Sequence, residues 1–158
     1  MEFGSAMQIR QFVESDLDSL HRLIQETIEA SYEGVYPDRA VQFFKKFHSE
    51  RKIVERSGTG EVLVIEKDGA IVATGSLVAN EILGVFVLPT LQRSGYGKAI
   101  TSELEKRAKL KGITEIELSI SLPSRQFYEN LGYEVFEKKS EDVGEGQFLD
   151  YWPARKKL

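Results

Sequence analysis

The most constraining stretch of the chain is Val85-Phe86-Val87-Leu88-Pro89-Thr90-Leu91-Gln92-Arg93-Ser94-Gly95-Tyr96-Gly97-Lys98, where a strand-like run passes through a glycine-bearing turn straight into a helical pattern. Pro89 ends the run because it has no N–H to give a ladder. Ile100, Leu104 and Ala108 then recur every four residues, Glu103/Arg107 and Glu105/Lys109 stand at i,i+4, and Gly112 is a C′ stop. Such a junction is an anion site. Free N–H groups and the positive end of the dipole favour a phosphate at the helix start, and Gly95 and Gly97 let the backbone approach it without a Cβ in the way. The spacing suits a pyrophosphate but matches neither common nucleotide motif. A P-loop needs Gly where Gln92 stands and Ser or Thr where Ala99 stands, and a dinucleotide fingerprint needs a small residue where Ile100 stands.

Around this junction the periodicities set an order of elements. Gln8 to Phe12 alternates as a half-buried strand. Ser15, three residues before Asp18, predicts a capped helix to about Ser31 on Leu17, Leu20, Ile24 and Ile28. Pro37 opens a second helix that buries Ala40, Val41, Phe44 and Phe47, and Ser49 caps a third ending near Gly58. Glu61 to Glu66 and Ile71 to Val78 form a hairpin about Lys67-Asp68-Gly69-Ala70, and Glu81 to Leu88 completes a meander. Ile116, Leu118 and Ile120 mark a strand reached by a helical crossover, hence parallel to its predecessor. Pro123 opens a short helix with Phe127 and Leu131 inward and Gly132 as its end. Tyr133 to Glu137 and Gln147 to Tyr151 are the last strands, and Pro153 predicts that the final one lies at a sheet edge.

Composition narrows the chemistry. With 158 residues, and about 150 per domain, one domain is expected. Met1 to Ala6 resembles a vector remnant, so the domain is read as residues 7–158. The chain has no Cys and only His21 and His48, which removes disulfides and thiolate nucleophiles and leaves no basis for a metal site. The net charge of −4 opposes a polyphosphate backbone, so nucleic acid is not an expected partner. No apolar run approaches the roughly 18–20 residues that span a bilayer, and no signal-peptide layout precedes Met7, so no membrane partner and a cytoplasmic location are expected.

Val87 to Pro89 as V-x-P, Gln92 to Gly97 as Q-x-x-G-x-G, the helix, the parallel strand and Phe127-Tyr128-Glu129-Asn130-Leu131-Gly132-Tyr133 together resemble the GNAT superfamily of N-acetyltransferases, over Met7 to about Leu158. The resemblance implies a single domain of the α/β (α+β) class. Its mixed, mostly antiparallel sheet would have six or seven strands and four or five flanking helices, and would be splayed between the fourth and fifth strands. It also implies acetyl-CoA as co-substrate in that splay, no metal, and transfer to a primary amine of a small molecule or peptide by direct attack on the thioester.

Carried over by position, main-chain N–H groups of Arg93, Ser94, Gly95, Tyr96, Gly97 and Lys98 would hold the CoA pyrophosphate, with Gln92 opening the motif. Val85 and Val87, with Phe86 between them, would bond the pantetheine arm and thioester carbonyl. Tyr128 would protonate the departing thiolate, which a phenol of pKa about 10 can do at neutral pH. Glu81 would accept the ammonium proton through water. Ser121 stands where the family often has Asn, and Ser124 where a small residue is usual, so cofactor contacts there are shorter-reaching.

Several residues have two readings. Lys98, Lys106, Arg107, Lys109 and Lys111 either meet the 3′-phosphate of CoA or form a solvated face. Tyr32, Tyr36, Phe43, Phe44 and Phe47 either line an acceptor pocket or form a core stripe. His21 and His48 carry no assigned role. The alternative to an enzyme is an acyl-CoA-binding regulatory module without efficient turnover, and with either the last strand's edge would pair a second copy of the chain into a homodimer.

Overall fold

A computed structural model describes residues 7–158. The remnant proposed for Met1 to Ala6 lies outside the described residues. The elements are β1 (Met7–Gln11), α1 (Leu17–Tyr32), α2 (Asp38–Phe47), α3 (Glu50–Thr59), β2 (Glu61–Lys67), β3 (Ala70–Val78), β4 (Glu81–Val87), α4 (Tyr96–Leu110), β5 (Glu115–Ser121), α5 (Arg125–Asn130), β6 (Glu134–Val135), β7 (Lys139–Gly144) and β8 (Gln147–Lys157). They form one mixed sheet in the order β1-β2-β3-β4-β5-β8-β6, with β7 also on β8, and every pairing is antiparallel except β4 with β5. The α/β (α+β) architecture expected from the resemblance is therefore the one observed, with eight strands where six or seven were expected.

Both faces of the sheet are covered, which explains why β2 reads as an unbroken apolar run. Leu63 and Ile65 face a core built with Ile100, Leu104 and Ile116, whereas Val62 and Val64 face the opposite core of Leu20, Ile24 and Ile28. The hairpin between β2 and β3 turns at Asp68 (φ 52°) and Gly69 (φ 81°), the left-handed pair that Asp-Gly predicts.

Several local expectations change. Asp16 rather than Ser15 stands at the N-cap of α1 and makes no side-chain bond to it: its carboxylate reaches back to accept from Val13 N at 2.9 Å and from Arg10 at 2.8 and 2.9 Å. Phe47 is 41% exposed instead of buried, and α5 buries Tyr128 while Phe127 is only half-buried. The strand expected at Tyr133 to Glu137 shortens to two residues, and β7, whose side chains are mostly polar and exposed, was not visible as apolar alternation.

Pro153 does not stand at an edge. β8 continues through it, with Ser119 of β5 opposite on one side and Phe136 N donating to Pro153 O at 2.9 Å on the other. Because that bond places Pro153's carbonyl on the side away from β5, its missing N–H also points away from β5 and leaves the β5–β8 ladder intact. β8 thus has neighbours on both sides around Pro153, with β5 on one side and β6 on the other, so the edge expected at Pro153 is not free.

Candidate active site

β4 and β5 share a single register pair, Glu81 with Glu117, fastened by Glu117 N donating to Asn80 O at 3.0 Å and Asn80 Nδ2 donating to Glu115 O at 3.3 Å. Beyond it the two strands separate, as the resemblance implied. A β-bulge marks this stretch: two residues of β4, Gly84 and Val85, oppose the single Gly75 of β3, and Gly84 adopts φ 64°. Leu88 N donates to Val72 O at 2.9 Å, so the alternation of an antiparallel ladder turns the polar groups of Phe86 toward β3 and those of Val87 toward the splay. Val87 is therefore placed for main-chain contact with an extended ligand. Phe86 contributes its ring instead, on the α1–α2 face of the sheet.

At the far end of β4, Arg93 (φ 63°) and Gly95 (φ 91°) turn the chain into α4. The first bond of the helix is Ala99 N to Gly95 O at 3.0 Å, so the N–H groups of Gly97 and Lys98 precede the intrahelical ladder at the positive end of a 15-residue helix. These groups fit a pyrophosphate. Other parts of the motif support the cradle from behind. The Gln92 amide donates to Val87 O at 3.2 Å and Ser31 Oγ at 3.4 Å, tying the loop to β4 and α1. The Tyr96 ring is buried in the core, with Lys67 Nζ 5.9 Å from its centroid. A Cβ on Gly97 would lie 3.1 Å from Phe127 Cζ, so this glycine is required by the packing of α5 on α4. Lys98 and Arg93 are exposed and Ser94 half-exposed, while Arg107 and Lys111 pair with Glu61.

The splay opens into a cleft of about 250 Å³ whose lining includes Glu81, the β4 bulge, Ser121, Ser124 and Tyr128. Tyr128 is buried between Phe127 and Tyr133, both in edge contact, and burial, with Tyr32 adding to it, pushes its phenol up from the usual value. Ser121 Oγ and Ser124 Oγ lie 2.9 Å apart. Tyr36 fixes this corner, since its hydroxyl donates to Asp150 O and accepts from Leu122 N, both at 2.8 Å. Glu81 stands at the closed end, partly in water. Desolvation first and Glu117 second raise its carboxyl, and Arg56 opposes them. A protonated phenol and a carboxylate of raised pKa on one cleft are the pair that acid–base chemistry needs.

The open choice at the aromatic residues resolves by position. Tyr32 is buried and Phe44 half-buried, yet both line the cleft, while Phe43 and Phe47 are exposed at its rim with stacked rings 6.2 Å apart. Tyr36 belongs to the core. His48, which the sequence left without a role, also lines the cleft although it is only 4% exposed. Arg56 Nη1 lies 2.8 Å from its Nδ1, Arg56 Nη2 donates to Phe47 O at 2.6 Å, and the ring sits edge-on to Phe47 and Phe86, each 5.0 Å away. The eight-residue spacing of His48 and Arg56 across two helices was the one signal in the sequence, and it is too common to be read. Glu141, Leu149 and Tyr151 were missed because they come from the unexpected hairpin of β7 and β8. Among the described residues no group of His, Cys, Asp and Glu is arranged to hold a metal, and no helix is long and apolar enough to cross a membrane.

Known proteins share this arrangement. Residues 26–148 match the family model of the acetyltransferase (GNAT) domain. The chain is 24% identical over 151 residues to the spermidine N(1)-acetyltransferase of Thermoplasma acidophilum, covering 87% of this chain and 94% of that one. Its fold superposes on a GCN5-related N-acetyltransferase from Rhodopseudomonas palustris with a TM-score of 0.87 at 19% identity, covering 100% of this chain and 99% of the other. The PaiA N-acetyltransferase of Thermoplasma acidophilum, solved in complex with coenzyme A, follows with a TM-score of 0.78 at 23% identity and 96% and 99% coverage. With the family model spanning most of the chain and the splay, the helix-start cradle and the cleft in place, the protein belongs to the GNAT family of acetyltransferases.

Proposed function

We propose that the chain binds acetyl-CoA in the β4–β5 splay and transfers the acetyl group to a primary amine of a small molecule or peptide. The observation that carries this reading is continuity: the open first turn of α4 at Gly97 and Lys98, the splay-facing edge of β4 and the cleft with Tyr128 and Glu81 follow one another along β4. Coenzyme A in the Thermoplasma PaiA relative supports the cofactor, and the name of the spermidine acetyltransferase supports an amine acceptor.

In this reading the loop from Arg93 to Lys98 holds the pyrophosphate by its main-chain N–H groups, and the main chain of Val85 and Val87 aligns the pantetheine arm. Glu81 takes a proton from the ammonium through water. The free amine then forms the new N–C bond as the C–S bond breaks, its nitrogen releases its second proton to solvent, and Tyr128 gives its proton to the thiolate and recovers one from solvent. Holding the two reactants in line supplies about 7–11 kcal/mol on its own. No acyl-enzyme is needed, in keeping with a chain that has no Cys.

Calorimetric titration with acetyl-CoA and CoA tests the cofactor, repeated on Gly95→Glu, whose side chain and φ of 91° are incompatible with the cradle. Saturable binding to the wild type and its loss in the variant are expected. Folded protein that binds neither ligand overturns the reading. Tyr128→Phe should keep the affinity for acetyl-CoA and lower kcat by about a hundredfold; undiminished turnover removes Tyr128 from the mechanism. Tight binding without turnover of any amine would turn the assignment to an acyl-CoA-binding module.

A further inference from the structure

The buried pair of His48 and Arg56 is a built feature that acetyl transfer as described does not use. A guanidinium can only donate, so the 2.8 Å contact from Arg56 Nη1 makes His48 Nδ1 an acceptor and places the ring's single proton on Nε2. Burial and the Arg56 charge both hold the imidazole well below its usual pKa, so the ring stays neutral. Its orientation is locked by the edges of Phe47 and Phe86, and Arg56 is itself anchored on Phe47 by the bond to its carbonyl and by a guanidinium 5.0 Å from its ring centroid. With Nδ1 occupied, the polar group that His48 has left for the cleft is the Nε2–H donor. His48 lines the cleft beside the β4 bulge, where a Cβ on Gly84 would come within 3.4 Å of His48 Cε1, and Phe43, Phe44 and Phe47 line the same cleft.

A fixed donor selects what is placed against it. It repels the N–H groups of an ammonium, and it cannot use the lone pair of the free amine, which is committed to the thioester carbon. We infer that His48 is an acceptor-binding residue whose Nε2–H receives a hydroxyl or carbonyl oxygen carried next to the reactive amine, so that the acceptor is an amino alcohol or an α-amino carbonyl compound and not a plain alkyl polyamine. This rests on the amine-acetylation reading and narrows its substrate class. An acceptor without that oxygen would strip Nε2–H of water and return nothing, which disfavours it roughly ten- to a hundredfold.

Acetylation of matched amines tests the assignment: 2-amino-1-phenylethanol against 2-phenylethylamine, whose rings suit the phenylalanine walls, and ethanolamine against propylamine, with spermidine alongside. The wild type should favour the oxygen-bearing member of each pair at least tenfold in kcat/KM. The ratio should fall toward one in His48→Phe, which keeps a ring but no donor, and persist in His48→Gln, whose amide N–H replaces the donor. Because each ratio is internal to one variant, a loss of folded protein does not mimic it. Equal use of both members by the wild type, or a ratio unchanged in His48→Phe, overturns the inference while leaving acetyl transfer intact. Nitrogen-15 spectra of labelled histidine read the same point without turnover: His48 should be neutral and protonated on Nε2, with that signal moved by 2-amino-1-phenylethanol in the presence of CoA and unmoved by 2-phenylethylamine. An Nδ1-protonated or charged ring, or an equal response to both amines, overturns the inference even if no amine is acetylated, the outcome that would separately defeat the amine-acetylation reading.

Discussion

Glu81 and Tyr128 are ordinary residue types whose surroundings hold their protons more tightly than water would. Desolvation and the facing Glu117 raise the carboxyl of Glu81, so the base form that accepts a proton is populated only above a pKa higher than a free glutamate's. Its catalytic sign follows: kcat/KM should rise with pH through that raised value as the carboxyl ionises. Glu81→Gln should lower kcat/KM by about a hundredfold and abolish this limb of the profile; a pH–rate profile that keeps the limb in the variant assigns the base elsewhere. His48 is not a candidate base, since Arg56 occupies its one lone pair. Both Glu81 and Tyr128 were legible as candidates from the family pattern, whereas His48 was not, because its role depends on a contact with a residue of the next helix. The glycines divide similarly. Gly95 needs its positive φ at the turn, as expected, but Gly97 is needed where Phe127 presses on α4, a contact that no local pattern encodes.

At the scale of elements, α4 performs two tasks. Its buried stripe of Ile100, Leu104 and Ala108 lies against β3 and β4, and its first turn is open in the way the proposed pyrophosphate site requires. The stripe and the turn were both visible in the sequence because a helix advertises its period and its ends. The bulge in β4 was not visible, since Gly84 within a β-branched run also fits a regular strand. Its consequence is that β4 bends away from β5 and brings His48 to the cleft wall. Gly84→Ala places a Cβ about 3.4 Å from both Arg56 Nη1 and His48 Cε1 in a backbone conformation that costs a non-glycine residue about 1–2 kcal/mol. The variant should therefore raise KM for the amine severalfold and leave calorimetric affinity for acetyl-CoA within twofold. An equal loss of both would show that the bulge serves the cofactor and not the acceptor.

For the whole molecule, the two cores on opposite faces of the sheet hold the β4–β5 opening in place while only one register pair joins those strands. The cost of a splayed sheet is carried by packing such as that of Ile116, fully buried on β5. Ile116→Ala should lower stability by about 2–5 kcal/mol in denaturant unfolding. Saturating acetyl-CoA, at about a hundred times its Kd, should restore about 2.7 kcal/mol. A loss below 1 kcal/mol would mean that β5 is held by β8 alone. The sequence by itself determined the order of strands and helices, the hairpin at Asp68-Gly69, the glycine-bearing start of α4 and the layered α/β class. All of these rest on periods, caps and turn chemistry within a few neighbouring residues. Only the tertiary structure decided that β8 passes through Pro153 with neighbours on both sides, that Phe47 faces the cleft rim, and that Arg56 fixes the proton of His48. Those outcomes depend on which distant segments pair and pack, and a hydrogen bond or a ring contact between them leaves no periodic trace in the chain.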